Sequence, residues 1–149
     1  MPQQPSTPSA AALQYKEMAS IPVDQLTALY NSVEWLGYTR HPDKMARLLP
    51  GCLWHISAWQ GDRLVGLLRA VGDDASIAYI QDILVDPAFQ RQGIGRTLLE
   101  RAFARFAHIR QIVLITDNEE KTVAFYRSLG MQPVEGDYGR AFMKINFEL

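Results

Sequence analysis

Apolar residues along this chain alternate between two spacings, and the switches between them mark its elements. Leu13 to Ala19 reads as a first strand. From Gln25 to Trp35 the positions Leu26, Leu29, Tyr30 and Val33 recur at three- and four-residue intervals, which is the stripe of an amphipathic helix. Asp24 stands where a cap belongs and Gly37 where the helix stops, and Pro42 to Leu49 forms a second short helix closed by Pro50-Gly51. The period then changes to two. Leu53 to Trp59 alternates, Gly61-Asp62 turns the chain into Leu64 to Val71, and Gly72-Asp73-Asp74 turns it again into Ile77 to Val85. Helical spacing returns after Gly93, with Ile94, Leu98, Leu99, Ala102, Phe103 and Phe106 on one face, the mark of a helix packed on a sheet. A strand over Gln111 to Ile115, a helix ending at Gly130 and a last strand over Ala141 to Phe147 complete the order.

Composition narrows the class. At 149 residues the chain is long enough to bury one real core. A hydrophobic share of 48% with 21% charged residues is that of an ordinary globule. A net charge of −1 lacks the basic excess of a nucleic-acid binder. No apolar run approaches the roughly 18 residues of a membrane span. Residues 1–10, rich in Pro, Gln and Ser, read as a disordered tail with no secretory signal, and 11–149 read as a single domain. The lone Cys52 fits a reducing compartment, and the expected location is cytoplasmic.

The chemistry concentrates where strand turns to helix. Ile77 to Val85 leads through Asp86-Pro87-Ala88-Phe89 into Gln90-Arg91-Gln92-Gly93-Ile94-Gly95, and the helix begins at once. The first N–H groups of a helix lack intrahelical partners and the helix dipole favours an anion there, so this mouth suits a pyrophosphate. Gly93 and Gly95 let the main chain come close to it. A dinucleotide loop needs a third glycine where Leu98 stands, and a triphosphate loop needs Gly-Lys-Ser/Thr where Gly95-Arg96-Thr97 stands. Neither pattern fits.

What remains, Gln-x-x-Gly-x-Gly between a strand and a helix, resembles the acetyl-coenzyme A loop of the GCN5-related N-acetyltransferase (GNAT) family. A second segment, Thr116 to Met131 with Asn118 near the helix start and Phe125-Tyr126 shortly before Gly130, looks like that family's second signature. The resemblance covers roughly Leu53 to Phe147. It implies a mixed α/β fold with a mostly antiparallel central sheet, splayed at the cofactor site and flanked by helices. It also implies acetyl-CoA as co-substrate, without a metal, and direct attack of an amine on the thioester in a ternary complex. By the same resemblance, main-chain groups of Ile83, Leu84 and Val85 meet the pantetheine and acetyl carbonyl. Gln90, Arg91, Gln92, Gly93, Ile94, Gly95 and Arg96 surround the phosphates, and Asn118 and Phe125 line the arm. Tyr126 is then the general acid for the departing thiolate.

The resemblance also implies that the first two helices and the loops after them shape the acceptor side, with the base on the strand before the loop. Asp82 is the candidate base, set against a structural role in which it bonds backbone N–H groups or an arginine. Trp35, Tyr38, Tyr79 and Gln81 are the acceptor-side candidates, with Glu34 or Asp82 meeting an amine's charge. The expected acceptor is a small amine such as an arylalkylamine, a polyamine or an amino sugar. Neither nucleic acid nor membrane is an expected partner, and a homodimer is left open. His55, His41, His108 and Cys52 are assigned no chemistry, His55 being read as a satisfied sheet histidine. The alternatives are a non-catalytic acyl-CoA-binding regulatory domain and a protein lysine or N-terminal acetyltransferase.

Overall fold

A computed structural model describes residues 12–135 and 139–148 of the chain. The expected tail, residues 1–10, lies outside the described residues. The chain divides after Ile115 into two units.

The first unit is built on five strands in the order β1-β2-β3-β4-β5. These are β1 (Leu13–Glu17), β2 (Trp54–Gln60), β3 (Arg63–Gly72), β4 (Ile77–Val85) and β5 (Gln111–Leu114). The first four run antiparallel, joined where the sequence places its turns, and Gly61 takes the positive φ of 58° that its tight turn requires. β5 is parallel to β4, so the chain must cross over between them, and α4 (Ile94–Arg105) makes that crossing. The mixed, mostly antiparallel sheet expected from the sequence is the one observed.

Alternation along the strands sends side chains to two helical layers. Trp54 meets Phe106 edge-on at 5.6 Å, just past the end of α4, and Gly66 leaves room for Ile94 in its first turn. Opposite, Trp59, Leu64, Leu67 and Leu84 pack with Leu26, Leu29 and Tyr30 of α1 (Val23–Ser32) and Met45 of α3 (Pro42–Leu48). Full burial of such a side chain contributes about 1.5–3 kcal/mol, so each face of the sheet is held by its own helical layer. Pro42 opens α3 at a position where its missing N–H costs nothing.

Several local expectations are corrected. α1 starts two residues before Gln25 and stops at Ser32, and Asp24 lies in its first turn, accepting only from the Gln25 N–H at 2.9 Å. Gly37 does not end a helix but sits inside a short one, α2 (Leu36–Thr39), entered through Glu34 at φ 61°. The strand expected over Ala141 to Phe147 does not form, and Phe142 and Phe147 are 92% and 89% exposed. The alternation there supplies the side chains of a strand but not the partner edge a ladder needs.

In the second unit, α5 (Glu120–Ser128) carries Phe125 and Tyr126. Glu119 takes the cap position, and Asp117 sits two residues back, accepting from the Glu119 N–H at 2.9 Å. Gly130 has φ 89°, its N–H bonds the Arg127 carbonyl and the Met131 N–H bonds the Tyr126 carbonyl, which together form a Schellman stop.

Candidate active site

Two departures from regular pairing make a site of β4. The first is on its β3 side. Arg69 pairs with Asp82 but Ala70 pairs with Ile80, so Gln81 is an extra residue that bulges the strand. The second is on its β5 side. The parallel ladder ends at Ile80 and Leu114, so the main chain of residues 81–85 runs on without a β5 partner. Asp86 bonds β3 and Leu84 faces the same way, so Ile83 and Val85 are the residues that turn N–H and C=O groups to the opening between these strands, as a pantetheine arm requires.

Beyond Val85 the chain is tied down before it turns. The Asp86 N–H bonds the Val65 carbonyl at 2.9 Å, its Oδ1 accepts from the Ala88 N–H at 2.9 Å, and its Oδ2 takes Arg63 at 2.9 Å. Pro87–Phe89 form a single 3-10 turn with Phe89 buried. Arg91 at φ 64° and Gly93 at φ 76° then swing the backbone into α4, whose cap Gly93 offers no side-chain oxygen. The N–H groups of Ile94 and Gly95 thus begin the helix with no carbonyl to meet. A Cβ on Gly93 would stand in open space, with no atom within 4 Å. Gln90, Arg91 and Gln92 are exposed along this turn, and Arg96 pairs with Glu100 at 3.1 Å on the outer side of the helix. A bare helix mouth in open space beside a free strand edge fits a diphosphate and its pantetheine.

On the face toward α1 and α2 Asp82 bonds an arginine, as its expected structural role allowed, within a cluster whose members the sequence did not identify. Asp82 is buried, and both its oxygens are engaged. Oδ2 accepts from Arg69 Nε at 2.6 Å and from the Tyr30 hydroxyl at 2.7 Å, and Oδ1 accepts from the Tyr38 hydroxyl at 2.8 Å. Arg69 Nη2 and Gln81 Nε2 in turn reach the Tyr38 oxygen at 3.3 and 3.2 Å. Burial pushes the Tyr30 hydroxyl far up, with Asp82 adding to it, and the same two causes raise Tyr38. Burial pulls Arg69 down, but the adjacent carboxylate outweighs it and its pKa rises. Both phenols keep their protons at neutral pH.

The aromatic acceptor-side candidates lie beside this cluster. Trp35 is at the surface, 5.9 Å from the Tyr30 ring and 6.3 Å from that of Tyr38. Tyr30 and Tyr38 meet edge-on at 4.9 Å. Tyr79 is half-buried on β4, two residues before the bulge, where burial raises its pKa. Arg69, Tyr30 and the bulge are the parts sequence reasoning missed. Arg69 showed a trace of itself, as an arginine at a core-facing position of an otherwise apolar strand.

In the second unit, Phe125 and Tyr126 are half-buried with rings 5.1 Å apart, and Asn118 is exposed before α5. Burial raises the Tyr126 pKa above its ordinary value, a hydrogen bond with Thr116 opposes this, and Asp117 adds to the rise. His55 is not satisfied as expected. It is buried on β2 with no partner for Nδ1, and burial lowers its pKa. Among the described residues no group of three His, Cys, Asp or Glu side chains stands close enough to hold a metal.

Comparison with known proteins gives this geometry its context. A GNAT-family protein of Streptococcus pneumoniae, SP0256, superposes with a TM-score of 0.80 at 32% identity, over 91% of this chain and 98% of that one. The aminoglycoside N-acetyltransferase AAC(6')-Iy, solved in complex with CoA, shares the fold at 17% identity with a TM-score of 0.69, over 94% of this chain and 98% of that one. A soybean (Glycine max) protein named histone acetyltransferase TAP1 is 42% identical over 72 residues, 47% of this chain and 30% of its own length. The matched stretch thus spans about a third of the first curated relatives. The profile of the acetyltransferase (GNAT) family matches residues 18–131, from just after β1 to Met131, and the chain belongs to that family.

Proposed function

We propose that this protein is an acetyl-CoA-dependent N-acetyltransferase that moves the acetyl group to a small primary amine by direct attack in a ternary complex. The observation that carries the reading is the parting of β4 from β5 after Ile80 and Leu114, beside the bare mouth of α4. A free strand edge next to unpaired helix N–H groups matches a thioester that ends in a diphosphate. Main-chain N–H groups of Ile83 and Val85, on the open edge of β4, are suited to polarise the acetyl carbonyl and hold the oxyanion that forms when nitrogen adds to it. Tyr126 is the proposed acid for the leaving sulfur, protonated at neutral pH and poised by burial to stay so. Asp82 is the proposed final acceptor of the amine's proton. Asn118 and Phe125 are proposed to line the arm, Arg91 to meet the phosphates, and Trp35, Tyr38, Tyr79 and Gln81 to receive the amine. The setting proposed is cytoplasmic.

A small amine is favoured because a small chain of net charge −1 gives protein acetylation no special support. The name of the soybean relative supports protein acetylation as the second reading. The test is thiol release from acetyl-CoA with a panel of an arylalkylamine, a polyamine, an aminoglycoside and a histone-tail peptide, alongside calorimetry with acetyl-CoA alone. Binding with turnover of a small amine is expected. Binding without turnover on any of the four would instead favour a regulatory acyl-CoA-binding domain.

A further inference from the structure

Asp82 is sealed from solvent by Tyr30, Arg69 and the sheet, so no substrate nitrogen touches its carboxylate. Its remaining link outward is Tyr38, half-buried, whose hydroxyl donates to Oδ1. The outer partner of that hydroxyl is the exposed amide of Gln81, the bulged residue where β4 leaves β5. A neutral N–H donor thus already rests 3.2 Å from the Tyr38 oxygen, at the edge of the proposed acetyl site.

We infer that Tyr38 is the residue that takes the acceptor amine's proton, passing its own to Asp82, and that the Gln81 amide holds the place the substrate N–H will occupy. This deepens the acetyltransferase reading and rests on it.

The step balances without a further reactant. The amine lone pair adds to the thioester carbon and the carbonyl π pair moves to oxygen, leaving an extra proton on nitrogen. That N–H bond breaks as its proton bonds the Tyr38 oxygen, while the Tyr38 O–H bond breaks and its proton bonds Asp82 Oδ1. Collapse re-forms the carbonyl and expels the thiolate, which takes a proton from the general acid. Raised by burial, Tyr38 is neutral at rest and has a proton to pass on. The groups facing the pair are Tyr30 from α1, Arg69 from β3, Gln81 and Tyr79 from β4, and Cys52 from the loop before β2. Arg69 is the one permanent cation among them, so the carboxylate keeps a counter-charge throughout.

The test is Tyr38→Phe, which keeps the ring that meets Tyr30 and Trp35 and removes the relay atom. Expected is a fall in kcat of about 100-fold or more, larger than any rise in the amine's KM, with the calorimetric affinity for acetyl-CoA within twofold of wild type. A kcat within twofold of wild type overturns the inference. So that a variant that fails to fold decides nothing, wild-type single turnovers are also followed in mixtures of light and heavy water. Two protons in flight give a curved dependence of rate on deuterium fraction, and a straight line overturns the relay. Wild-type protein that binds acetyl-CoA but acetylates no amine overturns the acetyltransferase reading itself, an outcome distinct from either of these.

Discussion

Arg69 Nε lies 2.6 Å from Asp82 Oδ2, and both side chains are buried on the face of the sheet that α1 and α2 cover. Removing one partner strands the other's charge away from water. Arg69→Met is therefore expected to cost about 3–5 kcal/mol of unfolding free energy. Arg69→Met with Asp82→Leu should recover a large part of that cost, because the stranded carboxylate is gone. Urea titrations of the two variants and of Asp82→Leu alone measure the coupling. Additive losses would show that the pair does not act as a unit.

Gly66 on β3 lies against the first turn of α4. A Cβ there would stand 3.0 Å from Ile94 Cγ2 and 3.3 Å from the Ala58 Cβ. Ile94 is in the first turn of α4, so Gly66→Ala presses on the helix mouth from below. The expected cost is about 1–3 kcal/mol of stability, the usual range for overpacking, together with weaker acetyl-CoA binding. Calorimetry showing wild-type affinity would mean that β3 absorbs the methyl group instead.

How much of this was legible beforehand depends on how local each cause is. The mouth of α4 was readable because Gly93 and the strand before it are adjacent in sequence, and Gly130 announced its own positive φ. The meander was readable from period-two spacing and turn residues. The Asp82 cluster was not, since its partners Tyr30, Tyr38 and Arg69 stand 52, 44 and 13 residues away. Tyr30 looked like a core residue, which it is, but its hydroxyl had no visible destination. The bulge at Gln81 comes from a mismatch of register between two strands, and register is a property of neither alone. Ala141 to Phe147 shows the reverse failure, where alternation is present and pairing is not.

His55 sets a pH dependence of stability. Burial lowers its folded pKa below the ordinary value of about 6.5. Above that ordinary value the imidazole is neutral in both states and contributes no slope. As pH falls through it, the unfolded chain takes up a proton that the folded protein refuses, so stability drops until the folded group also titrates. Thermal melts should show Tm declining as pH falls below about 6.5. His55→Leu should flatten that part of the decline and relieve the buried nitrogen that has no partner. An unchanged slope in the variant would assign the decline to other groups.

Tyr126 tests the acid end of the reaction. Tyr126→Phe removes a proton donor and keeps the half-buried ring against Phe125. Turnover should fall about 100-fold while acetyl-CoA affinity stays within twofold. Because the phenol's pKa is raised above about 10, wild-type activity should show no alkaline loss from this group below that pH. Equal turnover in the variant would remove the role from Tyr126.

Gly93 separates folding from binding at one position. Its φ of 76° strains any side chain there, for roughly 1–2 kcal/mol. The space around it is otherwise open, so the protein itself has nothing to clash with an added group. Gly93→Ala should therefore lose a modest amount of stability, and Gly93→Val more, because a β-branched residue resists positive φ further. The reading of the α4 mouth as a diphosphate site makes a different demand, because that open space is where the phosphates would lie. Acetyl-CoA affinity should fall stepwise from Gly to Ala to Val, and the dissociation constant should rise out of proportion to the change in Tm. Calorimetry and thermal melts on the three proteins decide it. If affinity merely tracks stability, the space beside Gly93 does not hold the phosphates.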